Sequence, residues 1–295
     1  MMAGKVAFLF PGQGVLPEGP PPENDVSELL LGLASQAHIP LKKWLQQQRE
    51  DHLSQTEYAQ LAIFIDSVSK CSSLRAMGIV PSAVAGHSLG EYAALVASGV
   101  LELEEAFHVV KARGCLMGKA SNGGMVAILK LTHEEVERVC KETRGNVVVA
   151  NINAPTQIVV SGEKDALEEV MSKCDVLGGR SIRLDVSGPF HSPLLSSAQD
   201  DLSSKLEGLD FCSPRLAFVS SVSGRKEDNP EHIKALLLTQ ITACVKWVNT
   251  IESLLHMGID VAVDVGPGQV LTNLGRRITD KIKFVTFEGA IDGAI

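Results

Sequence analysis

Ile79-Val80-Pro81-Ser82-Ala83-Val84-Ala85-Gly86-His87-Ser88-Leu89-Gly90-Glu91-Tyr92-Ala93-Ala94-Leu95 is the stretch on which the reading of this chain turns. Residues 79–85 are short and apolar, which predicts a buried strand. Residues 91–98, rich in alanine and leucine, predict a helix. Between them lies a Gly-x-Ser-x-Gly pentapeptide, so Ser88 falls on a sharp strand-to-helix turn. Gly86 and Gly90 let the backbone reverse without a Cβ clash. The hydroxyl is then exposed beside backbone N–H groups, the arrangement of an activated serine nucleophile. The pentapeptide alone also fits an ordinary turn serine flanked by glycines; the strand and helix around it favour the nucleophile.

Upstream, Val6-Ala7-Phe8-Leu9-Phe10 reads as another buried strand. It ends in Pro11-Gly12-Gln13-Gly14, whose N–H groups are expected to face a site at the strand's carboxyl end, where open α/β sheets place their ligands. The proline-rich segment from Pro17 to Asn24 reads as an irregular loop. Helices are expected over 26–37, 41–49 and 56–77. In the last of these Leu61, Phe64, Ile65 and Val68 follow the i, i+3, i+4, i+7 template.

Downstream, a helix over 103–118 carries Arg113-Gly114. An arginine within a helix is ordinarily a solvated charge; the functional alternative is a fixed guanidinium gripping a carboxylate through two parallel hydrogen bonds. The rhythm then changes. Strands over 124–129, 147–151, 157–161 and 180–186 alternate with helices over 132–140 and 164–174. The first helix is opened by a Thr132/Glu135 capping box, and 152–156 is read as a turn. This βαββαβ order predicts a small ferredoxin-like subdomain over 123–187. It is inserted into a large α/β core formed by 1–122 and 188–295, with a parallel-rich sheet of the α/β-hydrolase type. Beyond it come strands over 216–220, 261–265 and 284–287 and helices over 230–240, 247–257 and 270–277. Of eight histidines, His191 stands out, held in Gly188-Pro189-Phe190-His191 at the junction of the two units, a favoured place for a site. His87 is expected to point away from a site that Ser88 faces.

Composition narrows the function. The chain has 295 residues, 45% of them hydrophobic and 21% charged, which suits a globular protein with a sizeable core. A formal charge of −8 argues against general nucleic-acid binding. Six scattered cysteines without a Cys-x-x-Cys pair fit reduced thiols better than disulfides or a zinc site, and no metal is expected. No stretch is long and apolar enough to span a membrane. A cytoplasmic location is expected, or an organelle matrix after removal of a transit peptide.

Taken in order, these segments resemble the malonyl-CoA:acyl-carrier-protein transacylase family, the acyltransferases of fatty-acid and polyketide synthesis. Phe10-Pro11-Gly12-Gln13-Gly14 is similar to the family's first motif, and residues 86–95 match its nucleophile motif almost letter for letter. Arg113-Gly114, Asn153-Ala154-Pro155-Thr156-Gln157, Gly188-Pro189-Phe190-His191, Gln240 seven residues before Trp247, and Val265-Gly266-Pro267-Gly268 follow at the family's places. The resemblance covers essentially the whole chain. It departs at Val15-Leu16-Pro17, where the family has Ser-Gln, and at Gln60-Leu61, where it commonly has Gln-Pro; both bear on the rim of the entrance.

The resemblance implies a two-step transfer with coenzyme A thioester as donor and acyl carrier protein as acceptor. In it Ser88 is the nucleophile, His191 the base, and the backbone N–H groups of Gln13 and Leu89 the oxyanion hole. Gln240 orients the histidine through its carbonyl, Arg113 binds the malonyl carboxylate, Phe190 bounds the acyl pocket and Asn153 lines the substrate channel. Arg276, Arg277, Lys281 and Lys283 are candidates for docking an acidic carrier protein, and a monomer is expected. Two other functions stand against this one: an ester or thioester hydrolase on the same Ser-His pair, and a non-catalytic module that recruits a carrier protein. Within the family, a polyketide enzyme acting in trans on another extender unit is the alternative.

Overall fold

The structure, a computed structural model, describes residues 4–295. In chain order the strands are β1 (Val6–Phe10), β2 (Ala83–Gly86), β3 (Gly124–Leu129), β4 (Val147–Ala154), β5 (Gln157–Gly162), β6 (Arg180–Arg183), β7 (Ala217–Val219), β8 (Lys226–Glu227), β9 (Val261–Asp264) and β10 (Lys283–Thr286). They form two sheets. The larger has the order β10-β9-β1-β2-β7-β8, with every pair parallel except the β7/β8 edge. The smaller has the order β4-β5-β3-β6 and is antiparallel throughout. The parallel strands β1 and β2 are buried along almost their whole length, as strands covered by helices on both faces must be.

The helices are α1 (Asp25–Gln36), α2 (Leu41–Gln46), α3 (Glu50–Leu53), α4 (Thr56–Ala76), α5 (Gly90–Ser98), α6 (Leu103–Gly118), α7 (His133–Lys141), α8 (Lys164–Val176), α9 (Ser196–Leu206), α10 (Pro230–Thr239), α11 (Trp247–His256), α12 (Val270–Ile278) and α13 (Phe287–Ile291). Helix α4 is the internal one: Leu61, Phe64, Ile65 and Leu74 are at most 1% exposed. It packs closely on α6, because Gly114 presents no side chain there. A Cβ at Gly114 would lie 2.8 Å from the Glu57 backbone. This contact draws the α6 segment that carries Arg113 into the interior.

Several expected boundaries shift. The strand expected over 79–85 begins only at Ala83, because Pro81 has no N–H to pair and Val80 is 62% exposed. The segment expected as one helix over 41–49 breaks after Gln46, where Gln48 adopts φ 48°. The turn expected over 152–156 shrinks to Pro155 and Thr156, and Asn153 lies on β4. The strand expected to reach Val186 ends at Arg183. Helix α9 has no strong sequence signal: Leu202 and Leu206 are its buried residues, set among serines and aspartates.

The two sheets are tied together. The Ile152 N–H donates to the Val245 carbonyl (2.9 Å) and the Val245 N–H to the Ala150 carbonyl (2.8 Å). The edge strand β4 is therefore stitched to the segment between α10 and α11.

Candidate active site

The carboxyl ends of β1 and β2 lie side by side, with Phe10 paired to Gly86, so the loop after β1 borders the turn after β2. Ser88 sits on that turn at φ 51°, a left-handed conformation that a side-chain-bearing residue rarely adopts. The flanking glycines are sterically required. A Cβ on Gly90 would lie 1.9 Å from the Phe10 carbonyl oxygen, and one on Gly86 would lie 2.1 Å from the Glu91 nitrogen.

His191 arrives from the far side of the small sheet, also left-handed at φ 58°. Its N–H donates to the Ile241 carbonyl (3.0 Å), which locks the loop. Its Nε2 is 2.7 Å from Ser88 Oγ, and its Nδ1 faces two carbonyl oxygens, of Gln240 (3.1 Å) and Ala243 (3.0 Å). A carbonyl only accepts, so these partners assign the proton to Nδ1 and leave Nε2 free to accept from the serine. Burial, then Arg113 and His87, hold the imidazole down at about 3, so the ring is neutral near pH 7.

Arg113 is 1% exposed, against the ordinary expectation of a solvated helical arginine. Its Nη1 donates to Gln60 Oε1 (2.7 Å), and its Nη2 to Ser88 Oγ (3.0 Å) and to Gln240 Oε1 (3.2 Å). Nε has no partner among the described residues. Ser88 Oγ thus lies between a base and a cation. Burial lowers the Arg113 pKa, while Tyr92 and Glu91 pull it up.

Neither the Gln13 nor the Leu89 N–H meets an acceptor among the described residues. Gln13 Nε2 reaches Thr56 Oγ1 (3.4 Å), and Thr56 Oγ1 is 2.9 Å from Ser187 Oγ. The cavity measures about 150 Å³, with Gln13, Ser88, Arg113, Asn153, Phe190 and His191 in its walls. That holds an acyl group; drug-sized ligands need roughly 300–1,000 Å³.

His87, expected to point away, instead lines the same cavity. Its Nε2 meets Asn153 Oδ1 at 2.8 Å, and its ring stands edge-on to Trp247. The placement of Asn153 on β4 makes this contact. Gln60 and Glu91 are side chains that sequence reasoning did not nominate, although Gln60 lay in a quoted departure and Glu91 in the nucleophile motif.

The four basic candidates do not ring the pocket. Helix α12 starts beside it at Val270 and runs back along the sheet, so Lys281 and Lys283 lie at the amino-terminal edge, the end opposite Ser88. Arg276 donates to the Phe284 carbonyl (3.0 Å) and Arg277 bonds Gln157 Oε1. No group of three metal-ligating side chains occurs among the described residues, and no described helix is long and apolar enough to cross a membrane.

The acyl transferase domain family matches residues 26–288. A malonyl CoA-acyl carrier protein transacylase of Staphylococcus aureus is 33% identical over 296 residues, 96% of each chain. A polyketide biosynthesis malonyl CoA-acyl carrier protein transacylase of Bacillus subtilis is 34% identical over 285 residues, 92% of this chain and 96% of its own. Among solved structures, a malonyl-transacylase in complex with its type II PKS acyl-carrier protein superposes with a TM-score of 0.90. It is 33% identical and shares 98% of this chain and 99% of its own.

Proposed function

The chain belongs to the acyl transferase family, and on that premise we propose that it moves a malonyl group from malonyl-CoA to the phosphopantetheine thiol of an acyl carrier protein through an ester on Ser88. The observation that carries the mechanism is Ser88 Oγ held between His191 Nε2 and Arg113 Nη2.

In the first half-reaction Ser88 Oγ attacks the thioester carbonyl as its proton passes to His191 Nε2. The charge that develops on the carbonyl oxygen is met by the free N–H groups of Gln13 and Leu89, each worth about 10²–10³ in rate in comparable sites. Collapse breaks the C–S bond, and His191 returns the proton to the departing coenzyme A thiolate. In the second half-reaction His191 takes the carrier thiol's proton, the thiolate attacks the ester, and the proton returns to Ser88 Oγ.

Arg113 selects the acyl group. The malonyl carboxylate displaces Ser88 Oγ from the guanidinium, an exchange made easier once that oxygen is an ester. A bound carboxylate also offsets the positive charge that lowers the His191 pKa, so the base strengthens when the right substrate is in place. Phe190 bounds the space beside the malonyl α-carbon.

The large sheet and its helices, residues 1–122 and 188–295, are read as an α/β-hydrolase-like core. Residues 123–187 are read as a ferredoxin-like insert, supported by the order β6-β3-β5-β4 of its four strands. The solved relative bound to its carrier protein supports a carrier protein as acceptor.

Intact mass after brief incubation with malonyl-CoA tests the reading. A malonyl adduct on the parent, absent from Ser88→Ala and discharged by holo carrier protein, is expected. Release of free malonate without an adduct or transfer would replace the transferase reading with a hydrolase.

A further inference from the structure

Glu91 has no part in the chemistry above, yet it is a carboxylate only 2% exposed in the first turn of α5. Its donors among the described residues are neutral. Oε1 accepts from the Ser221 N–H (3.1 Å), and Oε2 accepts from Ser221 Oγ (3.1 Å) and from Gln240 Nε2 (2.5 Å). Burial pushes its pKa up, while the surrounding serines and Gln240 pull it down.

The Gln240 amide is 0% exposed and spoken for on both sides. Its nitrogen donates to Glu91 and to the Ser88 carbonyl (3.0 Å), and its oxygen accepts from Arg113 (3.2 Å). Turned the other way, the amide would set its N–H groups against Arg113. Its oxygen would face the Ser88 carbonyl and the Glu91 carboxylate, opposing like with like at every contact. The Ser221 N–H and Oγ donate to the two oxygens of Glu91, which leaves the carboxyl facing Gln240 as an acceptor and opposes that alternative. The same residue's backbone carbonyl receives His191 Nδ1.

We propose that Glu91 is a positioning residue for the acyl transfer: it fixes the Gln240 amide, and through Gln240 it holds Arg113 at the acyl pocket and His191 at Ser88. The assignment rests on the malonyl-transfer reading and extends it by one residue.

Glu91→Gln keeps the volume and removes the obligatory acceptor. Malonyl loading is expected to slow about tenfold to a hundredfold, the worth of one hydrogen bond to a charged group. The preference for malonyl over acetyl narrows with it, and the thermal midpoint holds. Gln240→Met removes the amide through which Glu91 acts, so Glu91→Gln is expected to cost no further loading or preference in a Gln240→Met background. A purely structural role gives a lower midpoint and equal losses for both acyl groups, with the preference intact; that result, or unchanged loading, overturns the proposal. If Glu91→Gln does not fold, Gln240→Met decides: folded with loading and malonyl preference unchanged, it overturns the proposal, which acts through that amide. The parent runs alongside. A parent that forms no malonyl adduct removes the active-site reading itself, whereas a parent that loads while Glu91→Gln behaves identically removes only this extension.

Discussion

Replacing Arg113 with methionine separates two duties of one side chain. Methionine fills much of the same volume beside Gln60 and Met117 but carries no charge and no donor. Two losses follow. The malonyl carboxylate loses its cation in a buried site, and removing one member of a buried pair costs about 3–5 kcal/mol, or about 10²- to 5 × 10³-fold in malonyl kcat/KM. Ser88 Oγ loses one neutral-to-charged hydrogen bond of 3.0 Å, worth about 1.5–3 kcal/mol, and that loss is read with acetyl, because a malonyl carboxylate has already displaced the serine from the guanidinium. Acetyl-CoA and malonyl-CoA should therefore be compared in the same single-turnover experiment. The acetyl decrease reads the support of the serine, and the change in the ratio reads carboxylate binding. A pH profile adds an independent check. His191 is held at about 3 by burial first and then by Arg113, so removing the cation raises the pKa and moves the acid limb of kcat/KM upward. Equal decreases for acetyl and malonyl, with no movement of the acid limb, would refute the reasoning.

Gly90→Ala sets a Cβ against the Phe10 carbonyl at a distance no structure accepts, so the β1–β2 register must give way. A loss of about 3 kcal/mol or more, seen as a thermal midpoint lowered by about 6 °C or more, is expected, and an unchanged midpoint would contradict it. Asp264 is raised to about 7 by burial, against the pull of the Thr272 and Leu271 N–H groups. The folded state then holds a proton that the unfolded state releases near 3.8, so this residue's contribution to stability is lost as pH rises from about 4 to 7. Asp264→Asn keeps an acceptor for those N–H groups and should gain on the parent in urea midpoint as pH rises through that window; a constant difference would count against it. Phe190→Leu opens the acyl pocket, and discrimination against methylmalonyl-CoA should fall by about tenfold in a competition assay.

Much of this site could be read from the chain because its parts are local. The strand, glycine, serine and helix around Ser88 are consecutive, and steric need fixes them in order. Arg113 is the opposite case. Nothing in Ala112-Arg113-Gly114 says which way the guanidinium faces; Gly114 lets α6 close on the Glu57 backbone, and that contact depends on a segment more than fifty residues away in sequence. Asn153 and His87 show the same limit. A turn placed three residues too early hid their contact, since Asn153 and Pro155 read as turn residues whatever the sheet does around them. The basic residues at the end of α12 are hard to place from sequence for a simpler reason. Charge on a surface helix carries no sign of which edge of the sheet it occupies.

The stitch between β4 and Val245 bears on how the ester survives. Gln240 and Ala243, whose carbonyls orient His191, lie just before Val245. Any swing of the small sheet that widened the cavity would tug on the segment that aims the base. On the proposed mechanism, gaping and reactivity exclude one another: water entering a widened cavity would find a serine ester with no general base to activate the attack. A thiol threaded down the narrow path meets the base in register. On the proposed mechanism, this interlock favours spending the ester on its acceptor instead of on solvent.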